Sequence, residues 1–378
     1  MVTRRGSYGI ENAVISSAMR PRVLVLGALM AGILGLLFLA GRKPTRATIA
    51  SVTNTASANP ISKRAARIPP ATVAVDLEEP LPASPTNFVQ RANAGDEDFH
   101  LTPEQQAEYL RRFGTNVETL LATQDTNYIK LAAQMFPNDP RVQLAVLTRE
   151  LFPEQRREWL ERFKQSAPDN AIADYLSARE YLKAGDRENA FKDLANAATK
   201  PRFDDYVREQ LPNVEDAHLS TGRSLLDAKV AVHYETRLPM ATFKGLAVDL
   251  RTLQDGYLAA GDMASAESLA QYGRSLSRQL IEGEGSQWVV GQQIGVLIER
   301  TLLSKLPPDS RPAFLNGTVQ QRLDEVTAYR QSLRPLTMAY TDMMARGNES
   351  EIISYFDRLK ILGEYKAMLW LHNREKLR

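Results

Sequence analysis

The chain has 378 residues, of which 47 are Lys or Arg, 45 are Asp or Glu, 43% are hydrophobic and none is Cys. This composition suffices for one or two folded domains with additional unfolded chain. The lack of cysteine excludes disulfide frameworks, thiolate zinc sites and cysteine nucleophiles. The four histidines, His100, His218, His233 and His372, are too far apart in sequence for a local metal-binding motif. We therefore expect no metal and no cofactor.

Charge is distributed unevenly along the chain. Residues 1–95 carry 11 basic and 4 acidic side chains, whereas residues 96–378 carry 36 basic and 41 acidic side chains. A net negative folded region lacks the concentrated basic stripe that a nucleic-acid backbone requires. Nucleic acid is therefore not an expected ligand.

The first predicted element is a transmembrane helix at residues 23–40. These 18 residues, VLVLGALMAGILGLLFLA, contain no charged side chain. A helix of that length covers roughly 27 Å of a ~30 Å hydrocarbon core. The alternative is a cleaved signal peptide, but the basic leader at 1–22 is long for one and no Ala-x-Ala cleavage site ends the apolar run. We favour an uncleaved single-pass anchor.

The orientation of this helix is less strongly indicated. The basic residues before the span are Arg4, Arg5, Arg20 and Arg22, and those after it are Arg42, Lys43 and Arg46. A short basic leader followed by one apolar segment usually keeps the N-terminus inside and exports the rest of the chain. We expect an extracytoplasmic (periplasmic) soluble domain, and the alternative is a cytoplasmic one.

Small residues of the span share one helix face. At 100° per residue, an arc of about 140° contains Gly27, Ala28, Ala31, Gly32 and Gly35. Such a face lets two helix backbones approach closely, which favours a homodimer formed through the span. The alternative is that Gly and Ala are simply frequent in spanning helices.

A linker is predicted at residues 41–98. Residues 41–95 contain seven prolines and few large apolar side chains, so they cannot bury enough surface to offset chain entropy. The segment should therefore be disordered. One apolar stretch within it, Ala71–Leu77, alternates as a strand does and indicates either a docking motif or a stickier piece of linker.

Residues 99–378 are predicted to form an all-α domain. Capping boxes at 102–105 and 115–118 and a cap followed by proline at Asp139 mark helix starts. No alternating run typical of a strand follows residue 95. We expect about fourteen to sixteen helices. The last pair is predicted at Glu349–Leu362 and Glu364–Arg378.

One sequence unit occurs twice. Tyr181–Leu194 returns 76 positions later as Tyr257–Ala270, with six of fourteen positions identical and a seventh pairing Leu194 with Ala270. In each copy Gly ends one helix, Asp caps the next, and a small Ala lets the two helices cross closely. The offset leaves room for one degenerate helix pair at about 214–234.

This pattern resembles the tetratricopeptide repeat. The residues of the first copy at matching spacings are Ala178, Tyr181, Gly185, Ala190, Leu194 and Ala197. The first copy departs from the repeat pattern at Asp174 and Ser177, and the second copy departs from it at Gln254 and Gly273. The resemblance covers roughly residues 168–200 and 245–275. It implies a right-handed α-solenoid of helix-turn-helix repeats.

The resemblance also implies a partner surface. In such domains the first helix of each pair lines a concave groove, which here would carry Tyr175, Arg179, Lys183, Arg251 and Asp255. For each residue taken singly, the alternative is a solvated helix face. The charged residues that clamp a carboxylate-ended peptide in these domains do not line up in this chain.

These observations together favour a membrane-anchored scaffold that binds a protein or peptide and is not an enzyme. One alternative is a wall-modifying enzyme of the cell envelope built on a helical superhelix, which would need a buried carboxyl group of shifted pKa in a deep pocket. Another is a structural subunit of a membrane complex.

Overall fold

The computed structural model describes residues 100–235, 240–283 and 288–375, and their regular secondary structure is helical. These ranges contain fifteen α-helices: α1 (Pro103–Phe113), α2 (Val117–Ala122), α3 (Thr126–Met135), α4 (Pro140–Thr148), α5 (Arg156–Ser166), α6 (Ile172–Lys183), α7 (Arg187–Thr199), α8 (Val207–Ser220), α9 (Leu225–Glu235), α10 (Met240–Ala259), α11 (Met263–Glu282), α12 (Val289–Leu303), α13 (Val319–Arg346), α14 (Glu349–Leu362) and α15 (Glu364–Glu375). A short 3-10 helix, Pro153–Gln155, precedes α5. An isolated bridge joins Asn170 and Arg202, and the described residues form no strand. The all-α class and the expected number of helices are confirmed for these ranges.

The predicted leader, span and linker lie outside the described residues. Within the ranges given above, no helix is both long enough and apolar enough to cross a membrane. The anchor at 23–40, its small-residue face and the homodimer formed through it therefore stay predictions.

Helix starts follow local capping chemistry. The Thr102 hydroxyl accepts a hydrogen bond from the Gln105 N–H at 3.3 Å, and the Gln105 side chain accepts one from the Thr102 N–H at 2.9 Å, as predicted. The box predicted at 115–118 is wrong by one residue, because α2 is capped by Asn116 together with Thr119. The Asn116 amide oxygen accepts from one backbone N–H and the Thr119 hydroxyl from another, as in a Ser/Thr–Glu box.

The predicted turns inside the two repeat copies are confirmed. Gly185 and Gly261 have φ values of +80° and +75°, in the left-handed region that glycine enters without a Cβ clash. Asp186 then caps α7 and Asp262 caps α11, each accepting a hydrogen bond from the N–H three residues on, at 3.1 and 3.0 Å. The predicted start of α4, with Asp139 as the cap, is confirmed as well.

The two repeat copies stack directly on each other. Helix α6 packs against α7, α10 packs against α11, and contacts of α6 with α10 and of α7 with α11 join the two pairs. Ala190 and Ala266 are 0% exposed at these crossings, as the repeat predicts. Tyr175, Phe203 and Phe243 fill the interface, with ring centroids 5.3 to 6.5 Å apart.

The helix pair between the two copies in sequence does not separate them in space. Helix α8 instead packs on α1, α2 and α14, and α9 also packs on α14. Lys229 of α9, only 2% exposed, lies 2.9 Å from Glu215 of α8 and 2.5 Å from Asp357 of α14. Lys360 also contacts Glu215, at 2.5 Å. Each charge of this buried cluster thus has a partner of opposite sign, which offsets the cost of its burial.

The C-terminal helices complete the fold. Helix α12 packs on α10, α11 and α13, and α13 packs on α15. The approach of α12 to α11 is close at Gly295, where a Cβ atom would lie 3.0 Å from the Ser277 carbonyl oxygen. Helix α14 has the predicted bounds, and Gly363, with φ +85°, separates it from α15. Helices α11, α12 and α13 enclose the cleft described next.

Candidate functional site

The structure corrects one residue of the predicted partner surface. Tyr175 is 1% exposed, and its ring packs against Phe203 and Phe243, so its placement on a groove is wrong. The physical reason is that α10 covers this face of α6, because the two repeat copies are direct neighbours. Burial also raises the pKa of Tyr175 far above its ordinary value.

The other four predicted surface residues lie on α6 and α10. Arg179 is half-buried, and its Nε atom lies 3.5 Å from Asp249 of α10. Lys183, Arg251 and Asp255 are exposed, and each forms an ion pair with a side chain of its own or a neighbouring helix. Arg179 therefore helps to join the two copies, whereas a binding role for the other three stays a prediction.

A larger group of charged residues encloses a cleft between α11, α12 and α13. The cleft has a volume of about 260 Å³, close to the lower end of the range for ligand pockets. Its charged lining consists of Arg274, Arg278 and Glu282 from α11, Glu299 from α12, and Arg322 and Glu325 from α13. Its apolar walls are Ile281, Val296 and Val326.

Glu299 forms the floor of this cleft and is only 1% exposed. Its carboxylate accepts hydrogen bonds from Arg322 Nε at 2.7 Å, Arg322 Nη2 at 3.2 Å and the Ser277 hydroxyl at 3.0 Å. Arg274 Nε lies 3.7 Å away from it. A buried carboxylate without partners would cost several kcal/mol, so this network stabilises one arrangement of the three helices.

The rim of the cleft carries two charges that this network does not use. Arg278 and Glu282 lie one turn apart on α11, both exposed, and neither side chain pairs with another residue in the described ranges. Across the cleft, the Tyr329 hydroxyl donates a hydrogen bond to Gln292 at 3.0 Å. Burial raises the pKa of Tyr329 to about 12, so the phenol stays neutral.

Two further arginines follow cleft residues on the same helices. Arg300 comes directly after the buried Glu299 on α12, and Arg330 comes directly after Tyr329 on α13. Burial and the nearby charge of Arg300 lower the pKa of Arg330. Neither guanidinium pairs with a carboxylate of the described residues. Neither arginine is among the residues that line the cleft.

The acidic side chains of the cleft are already engaged in ion pairs, with the exception of Glu282. In the part of the chain that the structure describes, no three His, Asp or Glu side chains are grouped as a metal ion requires. Glu299 and Glu325 already share the guanidinium of Arg322, which a cation would have to displace. The unpaired guanidinium of Arg278 instead presents a planar fork of donors that matches a carboxylate.

Two other carboxyl groups are buried away from this cleft. Burial raises the pKa of Asp205 and that of Glu364 to about 7 each. Asp205 adjoins a cavity of about 30 Å³, which has room for about one water molecule. Glu364 accepts a hydrogen bond from the Val289 N–H at 2.7 Å. This cavity is far smaller than an ordinary ligand pocket, and the enzyme alternative stays a prediction.

No family model, curated protein or solved structure matches the chain significantly. The resemblance to the tetratricopeptide repeat therefore rests on the residues of 168–200 and 245–275 alone and stays a prediction. The ligand chemistry of the cleft has to be deduced from its own side chains.

Sequence reasoning missed the cleft because each of its helices looks ordinary in isolation. Arg274, Arg278 and Glu282 recur every four residues along α11, a charged face of the kind that is usually solvated. The one available signal was this spacing of unlike charges. Placing it opposite Glu299 and Arg322 depends on how α11, α12 and α13 pack.

Proposed function

We propose that this chain is a membrane-anchored scaffold whose helical domain binds a protein or peptide partner close to the membrane. In this proposal the domain is a right-handed α-solenoid of tetratricopeptide-like repeats, held on the extracytoplasmic side by the span at 23–40. Support comes from the uncharged 18-residue run of the span and from the direct stacking of the two repeat copies. Neighbouring repeats of a solenoid pack in this way.

The observation that carries the binding role is the cleft with unused charges on its rim. Most buried charges of the described residues are matched, as in the Lys229 and Glu299 clusters. Arg278 and Glu282 are exposed and form no ion pair among the described residues, and they lie beside the apolar side chains of Ile281 and Val326 in the cleft. A peptide segment offers both complementary charges and apolar side chains, so it suits this surface better than a uniformly charged polymer does.

The test is co-purification of the full chain from its own membranes in mild detergent. We compare the wild type with Arg278→Ala and with a matched control, Arg187→Ala. Arg187 is also an exposed helix arginine without an ion pair among the described residues, and it lies on α7 and does not line the cleft. Neither exposed side chain should change stability by more than about 0.5 kcal/mol.

We expect the wild type and Arg187→Ala to retain the same partner at moderate salt, and Arg278→Ala to lose most of it. Recovery of no partner by the wild type, or equal recovery by both variants, contradicts the proposal. Co-purification of several different proteins in a fixed stoichiometry would instead indicate that the chain is a structural subunit of a membrane complex.

A further inference from the structure

The helical pair α14 and α15 exposes three large apolar side chains. Ile361 is 69% exposed, more than any other large hydrophobic side chain of the described residues, and Leu362 and Leu369 are 39% and 38% exposed. Single apolar side chains on a surface are normal, whereas a contiguous group of them marks a binding surface. The three side chains are therefore significant only if they lie together.

The packing of the two helices places these side chains on one surface. Arg358 of α14 lies over the ring of Trp370 of α15, with its Cζ atom 3.9 Å from the ring centroid. These two residues lie on either side of the turn at Gly363, so the helices run antiparallel. Leu362 follows Arg358 by one turn, and Lys366 precedes Trp370 by one turn, so the two rows lie side by side. We call this surface the α14–α15 face, and it consists of Arg358, Ile361, Leu362, Lys366, Leu369 and Trp370.

The α14–α15 face carries positive charges that are not paired with acidic side chains. Arg358 and Lys366 form no ion pair with a described residue. Arg208 of α8 adds a third cation, because its guanidinium donates a hydrogen bond at 2.8 Å to a carbonyl oxygen in the last turn of α14. Asp357, which precedes Arg358, pairs with lysines of α9 and α14. Among the described side chains of α15, the single acid, Glu364, is buried.

This combination of groups matches the surface of an anionic lipid bilayer. Lys and Arg side chains cover apolar surface with their stems and keep their charged ends among polar groups. Tryptophan is enriched at the level of the lipid headgroups, and exposed Leu and Ile side chains enter the boundary of the acyl chains. A lipid surface presents phosphates and acyl chains at the same place, as this mixture of cations and apolar groups requires.

The charge of the whole domain makes this match directional. Residues 96–378 carry 36 basic against 41 acidic side chains, so an anionic surface does not attract the domain as a whole. Near such a surface each Lys or Arg strengthens binding roughly fivefold, and this attraction falls off within a Debye length. A local group of unpaired cations therefore determines which face turns to the lipid.

We propose that the α14–α15 face docks on an anionic lipid surface, with Arg358, Lys366 and Trp370 at the level of the headgroups and Ile361 and Leu369 against the acyl chains. This role goes beyond the proposed function and does not involve the cleft. Docking of this face fixes the orientation of the domain relative to the bilayer.

The experiment measures tryptophan fluorescence of the full chain in phosphatidylcholine vesicles with brominated acyl chains, which quench an indole in contact with them. The chain has three tryptophans, and the predicted span contains none of them. Trp159 and Trp288 are 5% and 8% exposed, so lipid does not reach them. Quenching should be at least roughly twofold stronger when the vesicles also contain anionic phosphatidylglycerol, and Trp370→Phe should abolish it. The ratio of emission in brominated and unbrominated vesicles corrects for differences in the ring's protein environment.

A pair of double variants tests the charges of the face. Arg358→Gln/Lys366→Gln removes two cations and should weaken docking roughly 30-fold, so its quenching should fall to the level in neutral vesicles. The matched control, Arg187→Gln/Lys192→Gln, also removes one exposed Arg and one exposed Lys, here from α7, and should be quenched as the wild type is. Circular dichroism of each variant checks that its helices are intact.

Equal quenching in neutral and anionic vesicles, persistence of quenching in Trp370→Phe, or equal quenching of the two double variants overturns the proposal. Absence of quenching, together with a co-purified protein that Arg358→Gln/Lys366→Gln loses, overturns lipid docking and assigns the face to a protein partner. Flotation with neutral vesicles tests the predicted span separately, because the face requires anionic lipid. A chain that floats only with anionic vesicles and is quenched in them contradicts the anchor of the proposed function and supports docking of the face.

Discussion

Replacement of Glu299 by Gln removes the charge at the floor of the cleft while it keeps the size of the side chain. In the native network the carboxylate accepts three hydrogen bonds, two from Arg322 and one from Ser277. An amide has one oxygen to accept with, and its NH₂ group would face guanidinium donors. The substitution therefore leaves donors of the network without an acceptor.

The magnitude follows from burial. Hydrogen bonds to charged groups contribute about 1.5–3 kcal/mol each, and breaking a fully buried ion pair costs about 3–5 kcal/mol. Here the side chains of Arg322 and Arg274 are 30% and 32% exposed, so water solvates them in part once the carboxylate is gone. We expect Glu299→Gln to lower the free energy of unfolding by about 2–4 kcal/mol.

The assay is urea denaturation of the full chain in detergent, followed by the circular dichroism of its helices. Thermal unfolding should show a fall in midpoint of roughly 3–7 °C. The matched control is Glu325→Gln, because Glu325 contacts the same Arg322 at 2.8 Å but is 65% exposed. Exposed ion pairs contribute less than about 1 kcal/mol, so the control should stay close to the wild type.

Two results would refute this reasoning. A Glu299→Gln chain within about 0.5 kcal/mol of the wild type would mean that the network does not hold α11, α12 and α13 together. Equal losses for Glu299→Gln and Glu325→Gln would mean that burial of the carboxylate is not the source of its contribution.

Three further predictions concern other parts of the chain. Ala190 is 0% exposed at the α6–α7 crossing, so Ala190→Leu should overpack this crossing and lower the free energy of unfolding by about 1–3 kcal/mol. An unchanged thermal midpoint would mean that Ala190 does not lie at this helix contact. Burial raises the pKa of Asp205 from 3.8 to about 7, so its contribution to stability is present below pH 4 and is lost as the pH rises to about 7. Asp205→Asn should flatten that decline in urea midpoints measured between pH 4 and pH 8, and a curve parallel to the wild type would contradict the assignment. In a dimerisation reporter fused to the span, Gly32→Ile should abolish the signal and Leu36→Ile should keep it, whereas equal signals would show that the small-residue face does not associate.

The all-helical class and many helix boundaries of the described domain were predictable from sequence because they depend on residues within about four positions of each other. The Thr102 cap, the Gly185 and Gly261 turns and the bounds of α14 are of this kind. The error at 115–118 has the same local origin, since Asn116 and Thr119 supply an equivalent pair of hydrogen bonds. The burial of Ala190 was predictable too, because a repeat carries its helix-crossing residue in each copy.

Packing between distant segments was decided only by the tertiary structure. The sequence spacing left room for a helix pair between the two repeat copies, yet α8 and α9 pack on α14 and the copies meet directly, which buries Tyr175. The cleft depends on the same level of structure, because Arg278, Glu299 and Arg322 come from three helices. A charged residue has the same side chain on a solvated face and in a cleft. Its neighbours across the helix interface determine whether its charge is neutralised, buried or left for a ligand.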